Sequence, residues 1–216
     1  MNKLDVLTRI RACGVLPVIR AASADDGRKV VDALVEGGID TIEVTMTVPN
    51  AVGLIADLVK SFGGKVVVGA GTVMDAETAR ECIAVGARFI ISPATNFDTI
   101  LHCNEAEIVV MPGALTPTEV ANAWAAGADI VKIFPANAMG GASYLRSLKA
   151  PLPDIKLIPT GGVDQSNAAE FIRGGAEAVG VGADLVDVKS VNPEGRAALL
   201  TSNARKYLEI IRIART

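Results

Sequence analysis

Short aliphatic runs alternate along the chain with longer stretches in which apolar residues return every third or fourth position. Four segments, EGGIDTIEV, AVGARFIIS, AAGADIVKI and RGGAEAVGV, share one form: a small-residue helix end containing glycine, then an aliphatic strand. Glycine suits the left-handed stop that such a turn requires. Between them lie VLPVIR, KVVVGAGT, EIVVMPGA and KLIPTGG. Together they predict eight short strands, each followed by a helical stretch, at spacings of roughly 20 to 26 residues.

The intervening pattern predicts helices over 24–37, 51–62, 76–85, 97–104, 118–126, 142–149, 167–173 and from Pro193 to 214. Ser23, Asp75, Asn96, Thr116 and Ser166 stand where a side-chain oxygen can accept from free N–H groups, and Pro117 and Pro193 suit a first turn. Pro49-Asn50 leads into the second helix. A further amphipathic helix is expected at the N-terminus, with Leu4, Leu7, Ile10 and Arg11 sorted onto opposite faces. Nearly continuous apolar strands alternating with helices mean a parallel sheet covered by helices. Eight such units close into an α/β (β/α)8 TIM barrel with an extra N-terminal helix, one domain over residues 1–216. A doubly wound open sheet is the alternative; even spacing without a long crossover favours the barrel.

Side chains alternate along a strand, so Thr41, Glu43 and Thr45 share one face and Ile42 and Val44 the other. By the same count Ile130, Lys132 and Phe134 point inward and Val131 and Ile133 face helices. An acid and an amine are thus placed late in two strands, inside one barrel. A buried structural ion pair is the plain reading, but such pairs add little net stability compared with apolar packing. The chemical reading is a Schiff-base lysine with a carboxylate as proton shuttle. Lowering a lysine from about 10.4 to about 7–8 requires roughly 4 kcal/mol, which burial can supply. Glu43 would oppose that shift in tight contact, so it is expected to act at a distance or through water.

The strand ends add polar and glycine positions. GAGTV ends the third strand, where Gly69 and Gly71 would let a ligand near the backbone and Thr72 offers a hydroxyl. Pro93 in ISPAT shapes an apolar wall. Thr160, Gly161 and Gly162 end the seventh strand, and Gly180, Gly182 and Ala183 end the eighth. Glycine turns after the last two strands form a phosphate site in many barrels. Arg20, closing the first strand, is placed to meet a carboxylate.

Composition narrows the class. The formal net charge is −3 over 216 residues with no basic patch, against a nucleic-acid partner. No apolar run approaches the roughly 18 residues of a membrane span, and the charged N-terminus has no apolar core of a signal peptide. Cys13, Cys82 and Cys103 are scattered and odd in number, which suits a reducing cytoplasm and argues against a zinc site. His102 is the sole histidine and reads as a surface residue, so metal clusters and histidine triads have no material here.

The combination IEVT with Glu43, VGAGTV with Thr72, ISPAT with Pro93, VKIFPA with Lys132 and PTGGV with Thr160 resembles the class I aldolases of 2-keto-3-deoxy-6-phosphogluconate (KDPG) and 4-hydroxy-2-oxoglutarate (KHG). The resemblance runs from GVLPVIR to VGVGADL, nearly the whole chain. It implies that Lys132 forms the Schiff base with a 2-keto acid sugar phosphate and that Glu43 moves the protons. It implies that Arg20 and Thr72 hold the carboxylate, that Pro93 and Phe134 form apolar walls, that Gly161, Gly162, Gly182 and Ala183 sit where the distal phosphate binds, and that Thr160 is a further substrate-binding residue. The resemblance implies no metal or other cofactor, and it implies a homotrimer. Well-known gluconate-type members carry Arg four positions after the catalytic Glu and Ser in the last turn; here stand Thr47 and Ala183. Galactonate-type cleavage therefore stays open beside the gluconate type. A phosphate-binding barrel isomerase or epimerase, or a non-catalytic sugar-phosphate binder, are the competing functions.

Overall fold

The computed structural model describes residues 1–186 and 193–216. After α1 (Lys3–Cys13), strand and helix alternate: β1 (Val15–Ile19), α2 (Ala24–Glu36), β2 (Thr41–Thr45), α3 (Ala51–Phe62), β3 (Val67–Gly71), α4 (Ala76–Ala84), β4 (Phe89–Ile91) and α5 (Phe97–Glu105). Then come β5 (Val109–Met111), β6 (Gly113–Ala114), α6 (Pro117–Ala125), β7 (Val131–Ile133), α7 (Ala142–Lys149), β8 (Leu157–Pro159), α8 (Ala168–Arg173), β9 (Val179–Val181), α9 (Ala183–Val186) and α10 (Pro193–Ala214). Every expected helix is present, each end within one residue of its expected place. Two short elements were not foreseen from the sequence: α9 and a 3-10 turn over Ala136–Met139.

The caps explain why the helix starts were legible. Side chains of Ser23, Asp75, Asn96 and Thr116 accept from the N–H of Asp26, Thr78, Thr99 and Glu119. Each such cap is worth about 1 kcal/mol. Ser166 does not cap α8, contrary to expectation. Asp164 takes that place, its Oδ1 accepting from the N–H groups of Ser166 (2.8 Å) and Asn167 (3.1 Å). Asn50 begins α3 in a left-handed conformation without a side-chain cap.

All strand pairs are parallel, as buried apolar strands require. Six strands form one sheet in the order β5-β4-β3-β2-β1-β9, and β6-β7-β8 form a second. Strands β5 and β6 are the fifth expected strand, divided at Pro112, which has no N–H to donate. At the other junction, isolated bridges pair Leu157 with Ala176 and Thr160 with Gly180.

Buried apolar residues sort into two layers. Ile42, Val44, Val131 and Ile133 belong to the layer packed under the helices, together with Leu34, Leu58, Leu145 and Tyr207. Leu16, Val67, Phe89, Ile91, Met111, Ile130 and Ile158, drawn from both sheets, form a separate cluster covered by Val6, Leu7 and Ile10 of α1. Leu4 departs from the expected apolar stripe of α1 and lies exposed. Among the described residues, no helix is long and apolar enough to cross a membrane.

Candidate active site

The alternation within β2 decides the environment of Glu43. Its inward neighbours are satisfied by β1: Thr41 Oγ1 donates to the Val15 carbonyl (3.1 Å) and Thr45 Oγ1 to the Ile19 carbonyl (2.8 Å). Glu43, between them, makes no corresponding bond through Oε1. Its side chain is 1% exposed, and Oε1 is buried without a hydrogen-bond partner. Lys132 Nζ lies 3.8 Å from that oxygen. The pair is within ion-pair range but not hydrogen-bonded, which leaves Oε1 free to serve another proton. Burial pushes the Glu43 carboxyl above its usual range; the positive charges of Lys132 and then Arg20 oppose the shift only in part.

Glu43 and Lys132 each stand at the middle of a strand rather than late in it. Lys132 is anchored through its backbone, its N–H donating to the Pro112 carbonyl at 2.9 Å. Its Nζ is 5.3 Å from the centroid of the Phe134 ring, so that ring forms one wall beside the amine. The Phe134–Pro135 peptide is cis.

The remaining expected residues gather at the carboxyl ends of strands: Arg20 after β1, Thr72 after β3, Pro93 after β4, Phe134 after β7, Thr160 to Gly162 after β8, and Gly182 and Ala183 after β9. Arg20 is exposed, and its charge reaches Glu43. Thr72 has φ 58°, a left-handed conformation that a β-branched residue rarely adopts. Thr160 is buried and paired with Gly180, where a Cβ would sit 3.1 Å from Thr160 Cβ. Gly161 and Gly162 take φ 92° and 73°, which explains glycine at both places. Nothing approaches within 4 Å of the position a Cβ on Gly182 would take, so space is open there.

Gly69 and Gly71 have a different role from the expected one. The space beside Gly69 is filled by the Phe89 ring, and that beside Gly71 by the Glu43 carboxyl. Thr47 is exposed, with its Oγ1 2.6 Å from Thr45 Oγ1. His102 is half-buried on α5. The thiols of Cys13, Cys82 and Cys103 are free and buried, and burial raises all three, Cys82 to about 11 and Cys103 to about 12. They are poor nucleophiles as a result. Among the described residues, no group of three or more His, Cys, Asp or Glu is placed to hold a metal ion.

Sequence reasoning missed Asp184 and Tyr207. Tyr207 shares the buried face of α10 with Leu200, Ala204 and Ile211, and its Oη donates to Asp184 Oδ2 at 2.5 Å. The signal was present: a phenol at a core position of a helical repeat needs a polar partner.

A buried amine facing an unsatisfied carboxyl, on a parallel α/β scaffold, is an arrangement that imine-forming enzymes require. Comparison with known proteins places the chain more closely. The family model for KDPG and KHG aldolase matches residues 6–202. The 2-dehydro-3-deoxy-phosphogluconate aldolase of Treponema pallidum is 31% identical over 207 residues, 96% of each chain. The 2-dehydro-3-deoxy-6-phosphogalactonate aldolase of Escherichia coli is 33% identical over 172 residues, 79% of this chain and 83% of the relative. The KDPG aldolase of Legionella pneumophila, solved with pyruvate captured as a covalent carbinolamine, superposes with a TM-score of 0.78 at 29% identity, covering 96% of this chain and 97% of that one. The chain belongs to the KDPG and KHG aldolase family, whose members are carbon–carbon lyases.

Proposed function

We propose that the protein is a class I aldolase cleaving KDPG to pyruvate and glyceraldehyde 3-phosphate, with Lys132 as nucleophile and Glu43 as proton carrier. The observation that carries this reading is the 3.8 Å approach of Lys132 Nζ to a buried Glu43 Oε1 that has no hydrogen-bond partner. Because Oε1 has no other hydrogen-bond partner, Glu43 is placed to exchange a proton with the reacting atoms beside Lys132. Lys132 Nζ adds to C2 of the keto acid, giving a carbinolamine. Glu43 donates its proton to the departing hydroxyl, and water leaves to give the protonated imine. The resulting Glu43 carboxylate takes the proton of the C4 hydroxyl. The C3–C4 electron pair then flows into the imine, releasing the aldehyde and leaving an enamine. Protonation at C3 and hydrolysis release pyruvate and restore Lys132.

Arg20 and Thr72 hold the keto-acid carboxylate in this scheme, Pro93 and Phe134 enclose the reacting carbons, and Thr160, Gly161, Gly162, Gly182 and Ala183 receive the distal phosphate. Arg20 does so without the Arg that Thr47 replaces. No cofactor is needed, since the imine on Lys132 is itself the electron sink. KHG fits the same reacting centre. The galactonate epimer is the second reading, supported by the Escherichia coli relative. We further propose that the two sheets form one closed (β/α)8 barrel in a single domain over 1–216, on the strength of the continuity across Pro112 and the bridges between β8 and β9. The assembly is a cytoplasmic homotrimer, carried over from the resemblance, and light scattering tests the trimer.

Borohydride reduction in the presence of pyruvate tests the mechanism. One reduced pyruvate on Lys132, found by intact mass and peptide mapping, is expected, and Lys132→Ala loses it. A folded protein without an adduct would overturn the aldolase reading in favour of an isomerase or a binding protein. Comparing cleavage of the gluconate and galactonate substrates then assigns the C4 epimer.

A further inference from the structure

The Tyr207–Asp184 pair lies outside the reacting centre. Tyr207 is fully buried in α10, yet its Oη reaches forward to α9, donating to Asp184 Oδ2 at 2.5 Å. Asp184 directly follows Ala183 and is two residues from Gly182, where open space adjoins the backbone. The loop after β9 therefore carries an exposed carboxylate next to the place proposed for a phosphate. Ala183 offers no hydroxyl, so donors from this loop come from its backbone. Backbone donors are useful to an anion only if the loop stands in a fixed place.

The groups facing Tyr207 come from both glycine turns. Burial first, then the bond to Asp184 and the charges of Asp184 and Asp164, hold the phenol proton far above its usual range. Tyr207 is thus a permanent donor. Asp164, which follows the Gly161-Gly162 turn, is already committed to the start of α8 through Ser166 and Asn167. Asp184 has Tyr207 instead. Its carboxylate is turned toward α10, and with it the first turn of α9 is tied to the longest helix of the fold.

We propose that Tyr207 is a positioning residue for the distal phosphate monoester of the substrate: through Asp184 it fixes the Gly182–Ala183 backbone and keeps the carboxylate turned away from the anion. This rests on the aldolase reading above. The test compares Tyr207→Phe, Asp184→Ala and Asp184→Asn on KDPG and on its unphosphorylated analogue 2-keto-3-deoxygluconate, with pyruvate trapping on each protein. Tyr207→Phe and Asp184→Ala are expected to raise KM for KDPG about tenfold, equivalent to ~1.4 kcal/mol, with kcat unchanged. Asp184→Asn keeps an acceptor for the phenol and is expected to stay close to the wild type. The analogue's KM and the trapping should not move. Unchanged KM for KDPG, or an equal rise for both substrates, would overturn the proposal. If Tyr207→Phe does not fold, the contrast between Asp184→Ala and Asp184→Asn decides in the same way. Failure of trapping in the wild type would instead overturn the aldolase reading, and this proposal with it.

Discussion

Glu43 occupies the space that a side chain on Gly71 would need. A Cβ built on Gly71 would lie 2.5 Å from Glu43 Cδ, far inside contact distance. Strands β2 and β3 are paired here, with Thr45 opposite Gly71 and Glu43 opposite Gly69, so the carboxyl extends along β3 toward its carboxyl end. Gly71→Ala must therefore displace the carboxyl from Lys132. A misplacement of about 1 Å at a reacting group costs on the order of 10²-fold in rate. We expect Gly71→Ala to lose about that much kcat while still giving a pyruvate adduct on Lys132. Full activity in this variant would show that the position of Glu43 does not matter.

Glu43→Gln keeps the shape of the site and removes the transferable proton. Proton transfer by a positioned side chain contributes about 10²–10⁴-fold, and kcat should fall by that amount. Imine formation should persist at a reduced rate, visible as slow trapping in a time course. An unchanged rate across a pH series would remove Glu43 from the mechanism.

The parallel α/β fold and the buried Glu43–Lys132 pair were legible in the sequence for a common reason. Strand alternation, helix caps and glycine stops are local rules, and Ser23, Asp75, Asn96 and Thr116 obey them. The inward places of Glu43 and Lys132 follow from counting by twos. What was not legible depends on distant packing. The fill beside Gly69 and Gly71 comes from Phe89 and Glu43, neither adjacent in sequence. Asp164 displaced Ser166 as the group serving the start of α8, because a carboxylate two residues earlier reaches two N–H groups at once. The left-handed Thr72 has no signature in residue type, since glycine is what that conformation ordinarily selects. The Tyr207–Asp184 bond joins residues 23 apart in the chain, on two helices.

Burial of Glu43 gives a pH dependence of stability whose sign is fixed. Its folded-state proton affinity is raised above the ordinary 4.5, so the folded state holds the proton more tightly than the unfolded chain. Stability must then fall as pH rises from about 4.5 through the folded-state value, and is unaffected by this group well below 4.5. Glutamine does not titrate. The unfolding free energy of Glu43→Gln minus that of the wild type should be lowest near pH 4 and should grow toward pH 8, whatever constant offset packing adds. Urea denaturation at a series of pH values measures it. A difference that shrinks with rising pH would mean that Lys132, not burial, dominates the carboxyl.

The same burial predicts that activity is held at the expense of stability. A buried amine and carboxyl that share no hydrogen bond are costly to dehydrate, and replacing such a pair by apolar groups of similar volume is often neutral or stabilising by about 1–4 kcal/mol. The double variant Lys132→Met with Glu43→Leu roughly keeps the volume and removes both ionisable groups. It should be inactive, give no pyruvate adduct, and unfold at a higher urea concentration than the wild type at pH 7. Lys132→Met alone should be less stable than the double variant, because Glu43 then keeps its buried oxygen without a cation nearby. A double variant less stable than the wild type would mean that the pair contributes to the fold as well as to the reaction.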